Sequence, residues 1–259
     1  MNVTATTTAT DAATTTDGQP ARADRPRLST VSWMLTYGHL TWLFWTWVVA
    51  TIVYAGVIAG IARWGSIDQG LWQSVVAGWQ RYVIFGAGVT TTTTYLRMFL
   101  RNGVSRALLS SASTVSAALI GVLAAAWISA GYVVEKLLYR HYGWVQELNS
   151  NAVFEWSDLW RVALETPLVL AAYFVSGWIV GAGFYRYGVA GGIALTLPGL
   201  LPAAAAELFA SRDFGGIDLD VAAGWLSRPH LALTVVTGLA VVAASAWVAR
   251  RVTSTLALH

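Results

Sequence analysis

Arg97-Met98-Phe99-Leu100-Arg101-Asn102-Gly103-Val104-Ser105-Arg106 is a short basic stretch set between two long apolar ones. It carries three of the chain's sixteen Lys and Arg residues and no acid. Its reading decides the fold. If the apolar runs on either side cross a bilayer, this stretch is a turn at one membrane face and the chain is a bundle of membrane-crossing helices.

Composition supports the bilayer as the solvent. The chain is 56% hydrophobic and 11% charged, with a mean hydropathy of +0.56, whereas soluble domains carry about 25% charged residues. A soluble core of 259 residues has no room for so much apolar surface. Fourteen Trp and ten Tyr suit the membrane–water boundary, where amphipathic rings collect. The absence of Cys excludes disulfides, thiol catalysis and thiolate metal sites. A formal charge of +3 without a clustered basic face gives nucleic acid nothing to bind.

Working outward from residues 97–106, the apolar runs predict an all-α membrane protein with six transmembrane helices. The expected spans are about 39–62, 75–96, 112–134, 167–185, 189–206 and 231–248. Residues 1–27 are Thr- and Ala-rich with no apolar period, a disordered tail by composition. Leu28, Val31, Met34 and Leu35 share a helical face opposite Ser29, Ser32 and Thr36. They predict a short amphipathic helix on the membrane surface or, alternatively, the first turns of span one. The six-span domain covers 28–251, and 252–259 form a short tail. Between the fourth and fifth spans, Arg186-Tyr187-Gly188 leaves room only for a tight turn.

Charge sets the orientation. With both termini cytoplasmic, the inner segments hold Arg22, Arg25, Arg27, Arg97, Arg101, Arg106, Arg186, Arg250 and Arg251. Beyond the N-terminal tail every acid then falls outside, as the preference of Lys and Arg for cytoplasmic loops requires. The expected location is the cell (plasma) membrane, multi-pass, in contact with lipid.

Several chemistries have no residues to carry them. No Gly-rich loop ends in Gly-Lys-Ser/Thr to cradle a nucleotide, and no His-Glu-x-x-His occurs. The four His residues, His39, His141, His230 and His259, lie far apart. No catalytic group, metal site or bound cofactor is expected. Arg81, near the outer end of span two, is placed to snorkel to the interface. Glu207, at the outer end of span five, is the nearest candidate for an ion-coupling group or a cavity-facing acid.

Three features remain. Arg97, Arg101 and Arg106 either dock a cytoplasmic partner, with Asn102, Gly103 and Ser105 shaping the turn, or they enforce topology and touch anionic lipid. In the run at 90–94, the Thr90, Thr91 and Thr94 hydroxyls either line a polar crevice or fill space between helices. Pro198-Gly199-Leu200-Leu201-Pro202 either breaks the outer half of span five or merely kinks it.

This arrangement resembles the permease subunits of type-2 ABC exporters. The Asn102-Gly103-Val104-Ser105-Arg106 string is similar to a Gly-x-Ser/Thr-Arg motif at the same loop of small actinobacterial members, although Ala107 stands where a second basic residue often follows. The resemblance implies a transport subunit rather than an enzyme. A second permease, the same chain or a related one, would complete the translocation path, which would include Thr90, Thr91, Thr94, Pro198, Pro202 and Glu207. Separate ATPase subunits, holding ATP and Mg, would couple through Arg97, Arg101, Asn102, Gly103, Ser105 and Arg106. Two other readings stand beside it: a small-ligand-binding membrane component or non-ATP transporter, and a membrane scaffold or immunity protein.

Overall fold

A computed structural model of the chain describes residues 27–65, 69–147, 153–210, 213–214, 217–218 and 231–254. Residues 1–26 of the expected tail at 1–27, residues 255–259 of the expected tail at 252–259 and most of the outer segment at 211–230 lie outside these residues. The described chain is almost wholly helical: α1 (Leu28–Trp64), α2 (Gly78–Thr90), α3 (Leu96–Arg101), α4 (Arg106–Tyr142), α5 (Trp156–Ala210) and α6 (Leu231–Ser254). Two π-helical segments, Gln73–Ala77 and Thr91–Tyr95, flank α2 and join it to α3, so residues 73–101 run as one helix with two widened turns. A two-residue antiparallel pair, Asp213–Phe214 with Ile217–Asp218, follows α5.

Among the described residues, four helices are long and apolar enough to cross a membrane: α1, α4, α5 and α6. At 1.5 Å per residue, α1 and α4, each 37 residues long, reach about 55 Å, beyond the ~30 Å hydrocarbon layer. The 73–101 helix, with its two π-helical turns, is not among these four. α5 is two helical arms that meet at a kink at Gly188 (φ 68°, ψ −158°), a positive-φ position open to glycine at little cost. The tight turn expected at residues 186–188 is therefore present.

Two expectations are corrected. Among the described residues, the stretch read as a separate amphipathic helix forms the first turns of the first long helix, the alternative left open by the sequence. α1 begins at Leu28 without interruption, and Val31 and Leu35 pack with Leu96, Phe99, Val104 and Leu109 rather than on a membrane surface. Nor does the chain break at Pro198 or Pro202, since Gly188 is the one non-helical residue within α5. Ser176 Oγ accepts a hydrogen bond from the Ala203 N–H at 3.1 Å beside the proline pair. Gly199 lies against Val180, and a Cβ there would sit 2.5 Å from Val180 Cγ2. The two arms of α5 thus support each other across the Gly188 turn, and the prolines are absorbed in a continuous helix.

The first arm of α5 is the centre of the bundle, with residues 170–183 buried without a gap. Glycines let α2 approach it almost backbone to backbone. A Cβ on Gly177 would fall 1.9 Å from Phe85 O, and one on Gly88 would fall 1.9 Å from Phe174 O. Gly177-Trp178-Ile179-Val180-Gly181 is the small-xxx-small pattern by which membrane helices pack closely. α4 docks on the same arm, Gly121 facing the Pro167 carbonyl.

Candidate functional site

The basic stretch is more rigid than a loop. Residues 97–101 are the last turns of the 73–101 helix, and only residues 102–105 leave helical geometry. The helix ends in a Schellman motif, with the Gly103 N–H donating to Leu100 O and the Val104 N–H to Phe99 O, both at 3.1 Å. Gly103 takes φ 76°, the left-handed conformation that this ending needs. Val104 is buried and packs in one cluster with Phe99, the apolar contact that accompanies the motif. Ser105 then caps α4, its Oγ accepting from the Leu108 N–H at 3.2 Å. Asn102 Nδ2 donates to Met98 O at 2.8 Å.

Above this turn the side chains divide. Arg101, Asn102, Gly103 and Ser105 are exposed, and Arg106 is partly so. Arg97 lays its guanidinium over the Tyr185 ring, 5.2 Å from the centroid, which ties the turn to the neighbouring one at Gly188. Arg250 Nη2 donates to Ser111 Oγ at 3.0 Å. These contacts gather Arg97, Arg101, Arg106, Arg186 and Arg250 at one end of the bundle. The cluster of Val31, Leu35, Leu96, Phe99, Val104 and Leu109 beneath them locks the turn to the start of α1.

The opposite end carries the acids. Glu135, fully buried on α4, accepts from the Trp72 N–H at 2.6 Å, from Gln146 Nε2 at 2.6 Å and from the Tyr54 hydroxyl at 3.1 Å. It pins the chain before Gln73 and the segment after Tyr142 to α1. The sequence suggests an external acid here; instead the carboxylate is an internal bolt. Arg81 does not snorkel. Its Nη1 lies 2.5 Å from Glu207 Oε1, and the Glu207 side chain is 1% exposed. Tyr173 adjoins both charges. This ion pair joins α2 to the second arm of α5 across 126 residues of sequence.

The expected path residues do not share one surface. Thr90 donates to Ala87 O at 2.9 Å and is half-buried, while Thr94 is exposed. Thr91 is buried, with Oγ1 at 3.2 Å from His39 Nε2. Pro198 is exposed, whereas Pro202 and Glu207 are buried in the α5 packing. The run of threonines serves the second π-helical segment. Thr93 Oγ1 donates to Val89 O at 3.0 Å, and the Leu96 N–H closes the wide turn on Thr91 O. Two grooves flank α1, one of about 560 Å³ between Trp45, Val49, Val53, Val75 and Trp79, the other of about 330 Å³ between Trp47, Thr51 and Trp127.

Sequence reasoning misses the polar interior. His39, one of the four widely separated histidines, is fully buried. Thr36 Oγ1 donates to Ser116 Oγ at 2.9 Å one turn away. The available signal was the spacing of Ser32, Thr36 and His39 at i, i+4 and i+7, which places all three on one helical face. Among the described residues no group of three or more His, Cys, Asp and Glu converges as a metal site. No family model, no curated protein and no solved structure matches the chain.

Proposed function

We propose that the chain is the membrane-spanning permease subunit of an ATP-driven ABC exporter, resident in the cell membrane with both termini cytoplasmic. In this reading the 73–101 helix is the second of six spans, and Gly188 divides α5 into the fourth and fifth. A second permease completes the path, and separate ATPase subunits, binding ATP and Mg, dock under residues 97–106. The observation that carries the reading is the turn at 102–105. It is flanked by Arg101 and Arg106, exposed except at Val104, held by two helix caps, and locked through an apolar cluster to α1. A push on Arg101 moves the 73–101 helix, α4 and α1 together. The chain has no nucleotide loop of its own, so force must come from a partner. The charge pattern supplies the orientation: the basic end faces the cytoplasm.

The test is co-purification of the chain with an ATPase subunit from native membranes, followed by its ATPase rate. Arg101→Glu and Gly103→Trp are expected to leave insertion intact and lower the stimulated rate at least tenfold. Normal coupling in both variants overturns the assignment of the turn.

The Arg81–Glu207 pair, its carboxylate buried and its guanidinium partly exposed, favours a second reading, a transporter that binds a small ligand or ion within its own bundle, because ionisable groups inside a membrane segment mark such pathways. Uptake by the purified chain alone in liposomes without ATP would select that reading over the first.

A further inference from the structure

We propose that His39 is a proton-binding site inside the bundle, reached from the basic end along a ladder of hydroxyl groups, and that proton binding opens the contact between α1 and the Thr91–Tyr95 segment. The site does not depend on the ATPase partner.

The imidazole has no exposed surface. Its Nε2 lies 3.2 Å from Thr91 Oγ1, and Thr91 Oγ1 lies 3.1 Å from Ala87 O, to which it donates. A hydroxyl has one proton. With that proton directed to Ala87 O, the Thr91 oxygen is the acceptor and Nε2–H the donor. Nδ1 therefore carries the bare lone pair, and it has no hydrogen-bond partner within the packed interior. Tyr95 and Phe174 pack edge-on to the ring, with centroids at 4.8 and 5.6 Å. A site packed this closely on both flanks suits a proton better than a larger ligand.

The approach is polar. Ser32, Thr36 and His39 follow one face of α1, with rises of about 6 and 4.5 Å along the helix axis between them. Ser32 Oγ is buried and unpartnered. Thr36 is bonded to Ser116 of α4, and Ser113 lies buried one turn before it. The ladder begins four residues into α1, at the end that holds Arg97 and Arg101.

The proton comes from water at that end and forms an N–H bond at Nδ1, which leaves an imidazolium. The groups that face it are Thr91 and Tyr95 from the π-helical segment and Phe174 from α5, with Ser116 of α4 one turn away. None is a carboxylate, and only Tyr95 can ionise. A buried cation without a facing carboxylate costs far more than one neutral hydrogen bond returns, so the charged state must draw in water or part from its neighbours. Thr91–Tyr95 is the place to yield, since a single π-helical turn is poorly bonded and often functional.

The test uses the full chain in nanodiscs. Nitrogen-15 spectra of its histidines, with His39 assigned by the loss of its signals in His39→Gln, are expected to show the Nε2–H tautomer at neutral pH and a gained Nδ1 proton on acidification. The chain has no Cys, so spin labels on Tyr37→Cys and Thr94→Cys, both exposed, report the α1 to Thr91–Tyr95 distance. That distance is expected to lengthen with the same titration and to stay constant in His39→Gln. An imidazole that stays neutral until the protein unfolds overturns the proposal. An equal opening in His39→Gln does so too. Should His39→Gln fail to fold, the spectra and distances of the His39-containing chain decide the matter, because a lengthening that does not follow the Nδ1 titration contradicts it.

Discussion

The first arm of α5 and the helix α1 are nearly equal in apolar character, yet they live in different solvents. Their most apolar windows have hydropathies of 1.7 and 1.8, but 78% of the α5 window is buried within the chain against 17% for α1. The difference lies in side-chain size. α5 presents Gly177 and Gly181, and α2 answers with Gly88, so the backbones meet. α1 presents Trp33, Trp45, Val49, Ile52 and Val53 outward, all more than half exposed. A lipid tail is as apolar as a leucine, so hydropathy cannot tell which helix is central; shape and polar pairing decide it.

Four single substitutions and one double replacement break or sharpen this contrast. Gly177→Leu carries the largest expected effect, because its Cβ alone meets Phe85 O at 1.9 Å. A loss above about 4 kcal/mol, or no folded protein at all, is expected in a detergent unfolding assay. Arg81→Ala comes next: it removes the cationic partner of a Glu207 carboxylate that is 1% exposed and leaves Tyr173 beside it, at a cost of about 3 kcal/mol. Replacing both Arg81 and Glu207 by Met should recover most of that loss in the same assay. Gly103→Ala forces an L side chain to φ 76° and is expected to cost about 1–2 kcal/mol. Gly56→Leu is the smallest, since a Cβ there meets nothing within 4 Å; a change within about 0.5 kcal/mol is expected. A large loss at Gly56 would mean that a second chain, not lipid, covers this face of α1.

The same contrast explains what the sequence makes legible. Apolar run lengths mark α1, α4, α5 and α6, because a 30 Å layer imposes its length on any helix that crosses it. Gly188 is legible as a turn, since Arg186-Tyr187-Gly188 leaves no room for more. Residues 102–105 are legible as a helix break from Asn102-Gly103. The inward turn of Glu135 and the Arg81–Glu207 pair are not. Each depends on partners far along the chain, and a lone charge near a span end looks the same whether it faces water or a buried counter-ion. The proline pair misleads for a related reason: Pro198 and Pro202 weaken a helix in isolation, but Ser176 and Val180 on the facing arm hold it together. His39 escapes notice because Ser32, Thr36 and Thr91 are neutral residues, and hydroxyls in a membrane helix read equally well as filler.

The most direct test of coupling through the basic turn is a site-specific cross-link. In a chain without cysteine, Arg101→Cys introduces a single thiol on an exposed position. A short thiol-reactive cross-linker applied to native membranes is expected to join it to a subunit bearing a nucleotide-binding loop, with a yield that changes when ATP is added. The same thiol is expected to react with a membrane-impermeant maleimide in inside-out vesicles and not in intact cells. Labelling from outside the cell, or an ATP-independent absence of any ATPase adduct at Arg101→Cys, would contradict it.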